Sequence, residues 1–268
     1  MDTDLPITTI ENGVLTLTFN RPERLNALTT PIYRHIRDQV TAASTDDAVS
    51  VVLIKGNGRA FSSGYDLKAQ MSNRTMEQRL TSQHLDANGA RWAIWNCRKP
   101  VVAAVHGYCL GGALELVLPT DITIATETCK FGVPEILYGG GPAFNMFPWM
   151  MSHKKAKQII LLGEHFSARE AYEVGLATKV VPDDQLSEAT DSCVERLRRM
   201  PKGALWINKQ GLNRAYETQG MVPHINSWPD MLTVLTQMPD PTRDGFKEKV
   251  LQEGPRAAMK FRDAMFDK

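Results

Sequence analysis

At 268 residues the chain is long enough for one large domain, or one domain with an appendage, with a core of its own. Its 43% hydrophobic and 23% charged content is that of a soluble globular protein, and a net charge of +1 argues against nucleic acid or an anionic membrane as its main partner. Four widely spaced cysteines, Cys97, Cys109, Cys129 and Cys193, with no C-x-x-C, fit neither a zinc site nor a disulfide framework and are expected to be buried reduced thiols. The opening residues MDTDLPITTI lack a basic stretch and an apolar stretch, and no run approaches a membrane span, so a cytoplasmic location is expected.

In chain order, Ile7 to Glu11 and Val14 to Phe19 are apolar runs around Asn12-Gly13, which predicts a hairpin. After the exposed Arg21-Pro22-Glu23-Arg24 loop, Thr30-Pro31 supplies a cap and first position for a helix through Ser44. Strands are predicted over Val49 to Lys55, Val101 to Val105 and Ile122 to Ala125, and their alternation with helices argues for an α/β fold with crossover connections. The stretch from Ser72 to Cys97 reads as polar and mostly helical, carrying no chemical pattern of its own, a mobile flank of any pocket. Helices follow over Lys154 to Leu162, Ala168 to Val174 and Leu186 to Arg199, with a short strand at Thr178 to Val181. After Met200-Pro201 no strand signal remains, and helices are predicted over Lys202 to Glu217, His224 to Gln237 and Arg243 to the end.

The chemistry concentrates between residues 101 and 142. A strand feeds through His106-Gly107-Tyr108 into a helix that begins at Gly111-Gly112, where N–H groups unshielded by a Cβ are open to a ligand oxygen. Glu115 lies one turn on, and Glu135 sits in a second turn, Gly132-Val133-Pro134-Glu135-Ile136. Two carboxylates facing one cavity can serve as a general acid and a general base. His106 is expected to be a strand-end residue with a satisfied ring, and Cys109 to be packing rather than a nucleophile.

Gly107, Gly111, Gly112, Glu115, Leu116 and Asp121, followed by Phe131, Gly132, Pro134, Glu135 and Ile136, resemble the pattern of the crotonase superfamily, the enoyl-CoA hydratase and isomerase group. Asn20-Arg21-Pro22 with Leu25 to Leu28, Ala60 to Leu67 and Ser167 to Leu176 resemble further signatures of that family in the right order. The resemblance implies a crotonase-like spiral of ββα units, residues 1–200, that carries an acyl-CoA site. It also implies a C-terminal helical region, residues 201–268, that packs on the core and on neighbouring subunits of a homotrimer or homohexamer.

It implies Glu115 and Glu135 as catalytic groups and the backbone N–H groups of Tyr65 and Gly112 as an oxyanion hole. Arg24, Leu25, Ser63, Asp66, Leu67 and Lys68 fall at substrate- and CoA-binding positions, with Arg24 and Lys68 as candidates for the phosphates. No metal and no redox cofactor is implied, coenzyme A being part of the substrate. The reaction expected is hydration of an α,β-unsaturated acyl-CoA; the alternatives are double-bond isomerisation, C–C cleavage, or a catalytically silent CoA-ester-binding homologue. Two features depart from the family pattern. Tyr65 stands where a small residue is common, and the run from Leu137 to Met150 replaces a glycine-rich segment, with Phe144, Met146, Phe147 and Trp149 expected as core rather than as the wall of a site for a branched or ring-bearing acyl group.

Overall fold

The computed structural model describes residues 4–72 and 74–266. The hairpin forms as the Asn-Gly signal requires: β1 (Ile7–Glu11) and β2 (Val14–Phe19) pair antiparallel, with Asn12 at φ 50° and Gly13 at φ 79° in the turn. From β2 the sheet continues in parallel through β3 (Val51–Gly56), β4 (Val101–Val105), β6 (Ile122–Thr126) and β9 (Lys179–Val181), in the spatial order β1-β2-β3-β4-β6-β9. Every residue of β4 is buried, and β3 is buried over Val51 to Ile54; a parallel sheet covered on both faces calls for such unbroken apolar runs. A second, three-stranded sheet joins β5 (Tyr108–Leu110), β7 (Lys130–Gly132) and β8 (Phe166–Ser167). None of these three strands is predicted from the sequence, because two or three residues are too few to display a period.

Several boundaries differ from expectation. The first helix runs Thr30–Thr45 with Thr29, not Thr30, as the residue before it, and β3 starts at Val51 because Ser50 N–H is held by the Gly13 carbonyl at 2.7 Å. The helix expected from His224 begins at Met221, after Gly220 at φ 86°, and ends at Leu235. The single helix expected from Arg243 onward is two, Pro241–Gln252 and Pro255–Phe266, broken where Gly254 takes φ 90° before a proline. Cys97, Cys109 and Cys129 are buried free thiols, whereas Cys193 is only partly buried.

The C-terminal helices are tied both to the sheet and to the turn that carries Glu135. Asp121 accepts from the Val101 N–H and from Lys209 Nζ, each at 2.7 Å, which pins helix Lys202–Glu217 beside β4. Tyr138 stacks on Phe246 with ring centroids 4.6 Å apart, in a small cluster with Val250 and Ala258 that fastens the last two helices to the turn carrying Glu135.

Candidate active site

Two extended segments run side by side into the site. Ser62 bridges Cys109 in parallel, with Ser62 N–H donating to the Tyr108 carbonyl at 2.9 Å and Leu110 N–H to the Ser62 carbonyl at 3.2 Å. Three residues further along both segments come Tyr65 and Gly112. Gly64, at φ 91°, makes the approach possible: a Cβ there would lie 2.4 Å from the Leu110 carbonyl oxygen. Gly112 opens the helix Gly112–Val117, so its N–H has no intrahelical acceptor. Neither that N–H nor the one of Tyr65 has an acceptor among the described residues. Two free donors at the ends of adjoining segments can share one oxygen that gains negative charge. Gly64→Ala is expected to force the segments apart and lower kcat by about a hundredfold, the scale of losing one such donor, with circular dichroism unchanged. An Ala variant of full activity would remove the pair from the chemistry.

Glu115 is 0% exposed. Its Oε2 accepts from the Phe144 N–H at 2.7 Å and lies 3.2 Å from Nη2 of Arg91, while Oε1 has no partner among the described residues. Burial raises the Glu115 carboxyl above its ordinary range; the Arg91 charge, the backbone N–H groups of Phe144 and Ala143 and the Tyr65 hydroxyl offset part of that rise. Arg91 is also 0% exposed and donates to Asn88 Oδ1 at 2.7 Å and to the Tyr65 hydroxyl at 2.8 Å. Burial alone would lower its pKa, but Glu115, Tyr65 and Tyr33 around it raise it overall, so the guanidinium stays charged. The ring of Tyr65 therefore folds inward over Gly112, tethered by Arg91.

Glu135 enters on the turn Pro134–Tyr138 and is 6% exposed. Its Oε2 has no partner among the described residues, and its carboxyl is so close to Gly111 that a Cβ there would sit 2.1 Å from Oε1. Burial first, and then the charge of Glu115, push its pKa up to about 8. Glu135 borders a cavity of about 640 Å³ that Tyr65, Tyr138, Leu28 and Pro229 also line, so helix Met221–Leu235 closes one wall. Glu115 is not among the residues that line the cavity.

Of the other residues singled out in the sequence, Asp66 and Leu67 line the cavity. Asp66 is committed elsewhere: it caps the Leu67–Gln70 helix through Ala69 N–H and pairs with Arg21 at 3.2 Å. Arg24 and Lys68 are exposed, Arg24 reaching Asp66 at 4.0 Å. Leu25, left-handed at φ 49°, accepts from the Ser63 N–H at 2.8 Å, so these two hold the Tyr65 segment rather than border the cavity. His106 Nε2 pairs with the Gly58 carbonyl at 2.8 Å, and burial pushes the Cys109 thiol well above its ordinary range, as befits packing. Phe144, Met146 and Phe147 are core, and Trp149 is half-buried against His224. The stretch from Ser72 to Cys97 corrects the expectation of a chemically empty flank, since it carries Arg91. The signal was available: Ala87, Ala90, Arg91 and Ile94 share one helical face, and an arginine on a buried face requires a buried partner.

Two unpaired N–H groups beside two buried carboxyls, one tied to a guanidinium and one not, define a site for acid–base chemistry through an oxyanion. Residues 9–251 match the family described as enoyl-CoA hydratase/isomerase, and the chain belongs to that family. It is 34% identical, over 77% of its length, to a probable enoyl-CoA hydratase of Mycobacterium tuberculosis, covering 79% of that protein. It is equally 34% identical to a 2,3-dehydroadipyl-CoA hydratase of Escherichia coli, over 77% of this chain and 81% of the other. The crystal structure of an enoyl-CoA hydratase/isomerase from Xanthobacter autotrophicus superposes with a TM-score of 0.89 at 38% identity, covering 98% of each chain. The protein is thus an enzyme of the crotonase superfamily, with its α/β fold.

Proposed function

We propose that the protein hydrates an α,β-unsaturated acyl-CoA. The observation that carries this reading is that Glu115 and Glu135 each keep one buried oxygen without a partner among the described residues, Glu115 beside the Arg91 guanidinium and Glu135 without such a cation in contact. Arg91 compensates a charge on Glu115, and that charge, with burial, keeps the proton on Glu135. In the reaction the thioester oxygen accepts from the Tyr65 and Gly112 N–H groups. Glu115 takes a proton from water as the hydroxyl oxygen bonds to the β-carbon, the double-bond electrons move onto the thioester oxygen, and Glu135 delivers its proton to the α-carbon. Mixing the protein with a panel of enoyl-CoA thioesters and following loss of the conjugated absorbance tests this directly. Tight binding with no turnover of any chain length would defeat it.

Double-bond migration is a second reading, favoured by the observation that Glu135 borders the cavity while Glu115 does not. The pH dependence separates the two. Hydration uses protonated Glu135, so kcat is expected to fall as pH rises through about 8; migration begins with proton abstraction by the carboxylate and would rise through the same range. Arg24 and Lys68 remain our candidates for the CoA phosphates.

The C-terminal helices leave Ile207, Leu212, Met231 and Val234 at least 60% exposed, an apolar surface that fits burial against other subunits of a homotrimer or homohexamer. Light scattering on the active protein is expected to give a multiple of 29.9 kDa, and a mass equal to that of one chain would defeat the assembly.

A further inference from the structure

Arg74 and Arg79 line the same cavity as Glu135, both half-buried, and neither forms an ion pair among the described residues. Among the described residues each makes one long side-chain contact: Arg74 Nη1 donates to Ser82 Oγ, and Arg79 Nη2 to the Ser72 carbonyl, both at 3.4 Å. Most of their donors are therefore uncommitted. Burial, and then the charge of Arg74, push the Arg79 pKa down, so the two cations are near enough to oppose one another. Of the acidic residues in the lining, Asp244 sits 3.6 Å from Arg243 and Asp66 pairs with Arg21. Thr75, Ser82, Gln83, Thr236 and Gln237 add further polar groups to the lining of this cavity, which Tyr65 and Glu135 also border. A cavity built only for a hydrocarbon chain has no use for two unpaired guanidiniums.

We propose that Arg74 and Arg79 bind an anionic group, a carboxylate, at the far end of the substrate's acyl chain; this rests on the acyl-CoA reading above. The placement favours the acyl end over the phosphates of coenzyme A. Ser82 Oγ, which Arg74 contacts, lies 3.2 Å from Thr30 Oγ1, and Thr30 is one helical turn before Tyr33, whose hydroxyl donates to the Gly112 carbonyl at 3.3 Å. Ser82 thus joins the Arg74 guanidinium to the start of the helix that carries Tyr33, and Thr30, Tyr33 and Tyr65 line the cavity with it. A carboxylate on the acyl chain enters this cavity with the reacting carbons, whereas the diphosphate of CoA is held away from them by the whole pantetheine arm. Two forked guanidiniums suit a planar carboxylate.

The test uses saturated thioesters, so that binding is read without turnover. Calorimetric titration is run with adipyl-CoA and hexanoyl-CoA, which share a chain length and differ in the terminal carboxylate. The full-length protein is expected to bind adipyl-CoA roughly tenfold or more tightly, the scale of a hydrogen bond to a charged group. Arg74→Gln and Arg79→Gln should each reduce that preference, their combination should abolish it, and hexanoyl-CoA affinity should stay unchanged. Arg79→Lys, which keeps the charge, should retain part of it. Equal affinity for both thioesters in the unaltered protein overturns the proposal, and so does an equal loss for both in the variants, which would assign the arginines to the CoA phosphates. If neither thioester binds at all, the acyl-CoA reading falls along with the subsite.

Discussion

Glu135→Gln is expected to lower kcat by about 10² to 10⁴ while leaving KM near its original value, because it removes a proton donor and leaves the shape of the cavity intact. The glutamine amide is close in size to the carboxyl, and Gly111 and Gly140 still pack against it. The same variant carries a stability signature of opposite sign. Because burial and Glu115 hold the folded-state pKa near 8, above the ordinary 4.5, the folded protein binds this proton more tightly than the unfolded chain does. That contribution is complete below the unfolded value and is lost as pH rises through the folded one. The unaltered protein should thus lose stability between about pH 5 and pH 9, and Glu135→Gln should lose less over that range. Thermal unfolding across pH checks this, and parallel curves for the two proteins would mean that Glu135 is ionised throughout.

The parts of the fold that were legible are those in which one physical requirement acts over many residues. The unbroken apolar run Val101–Val105 is a strand buried on both faces, and Asn12-Gly13 can hardly be anything but a tight turn. The second sheet was hidden because its strands are held by distant partners: Tyr108–Leu110 pairs with Lys130–Gly132, and nothing local in three residues announces it. At the candidate site, the glycines and both glutamates were legible because turn geometry and helix starts constrain residue type locally. Arg91 was not, although its helix was expected. Its meaning lies in a pairing with Glu115 across the interior, and a single arginine among Ala90, Trp92 and Ala93 looks like any solvated charge until the burial of its face is counted. The direction of the Tyr65 ring depends on that same arginine and follows only once the arginine is placed.

Arg91→Met is expected to be the most destabilising single change in the site. Methionine roughly fills the space of the aliphatic stem, but the substitution leaves Glu115 in the core with no cation and only the Phe144 and Ala143 N–H groups and the Tyr65 hydroxyl to meet its charge. Breaking a buried pair from one side costs about 3 to 5 kcal/mol, and for a chain of this size the melting temperature should drop by roughly 10 °C. The contacts of the guanidinium with the rings of Tyr33, Tyr65 and Phe144, at 5.3, 5.7 and 5.8 Å from their centroids, are lost as well. Activity should fall with stability, because the folded variant avoids a lone buried charge by protonating Glu115, and a protonated Glu115 cannot take a proton from water. A double variant separates the two effects. Arg91→Met with Glu115→Gln removes the uncompensated charge, so it should recover most of the lost melting temperature and none of the lost hydration. If Arg91→Met alone melted and turned over like the unaltered protein, the ion pair would be incidental, and Glu115 would have to hold its charge by some other means.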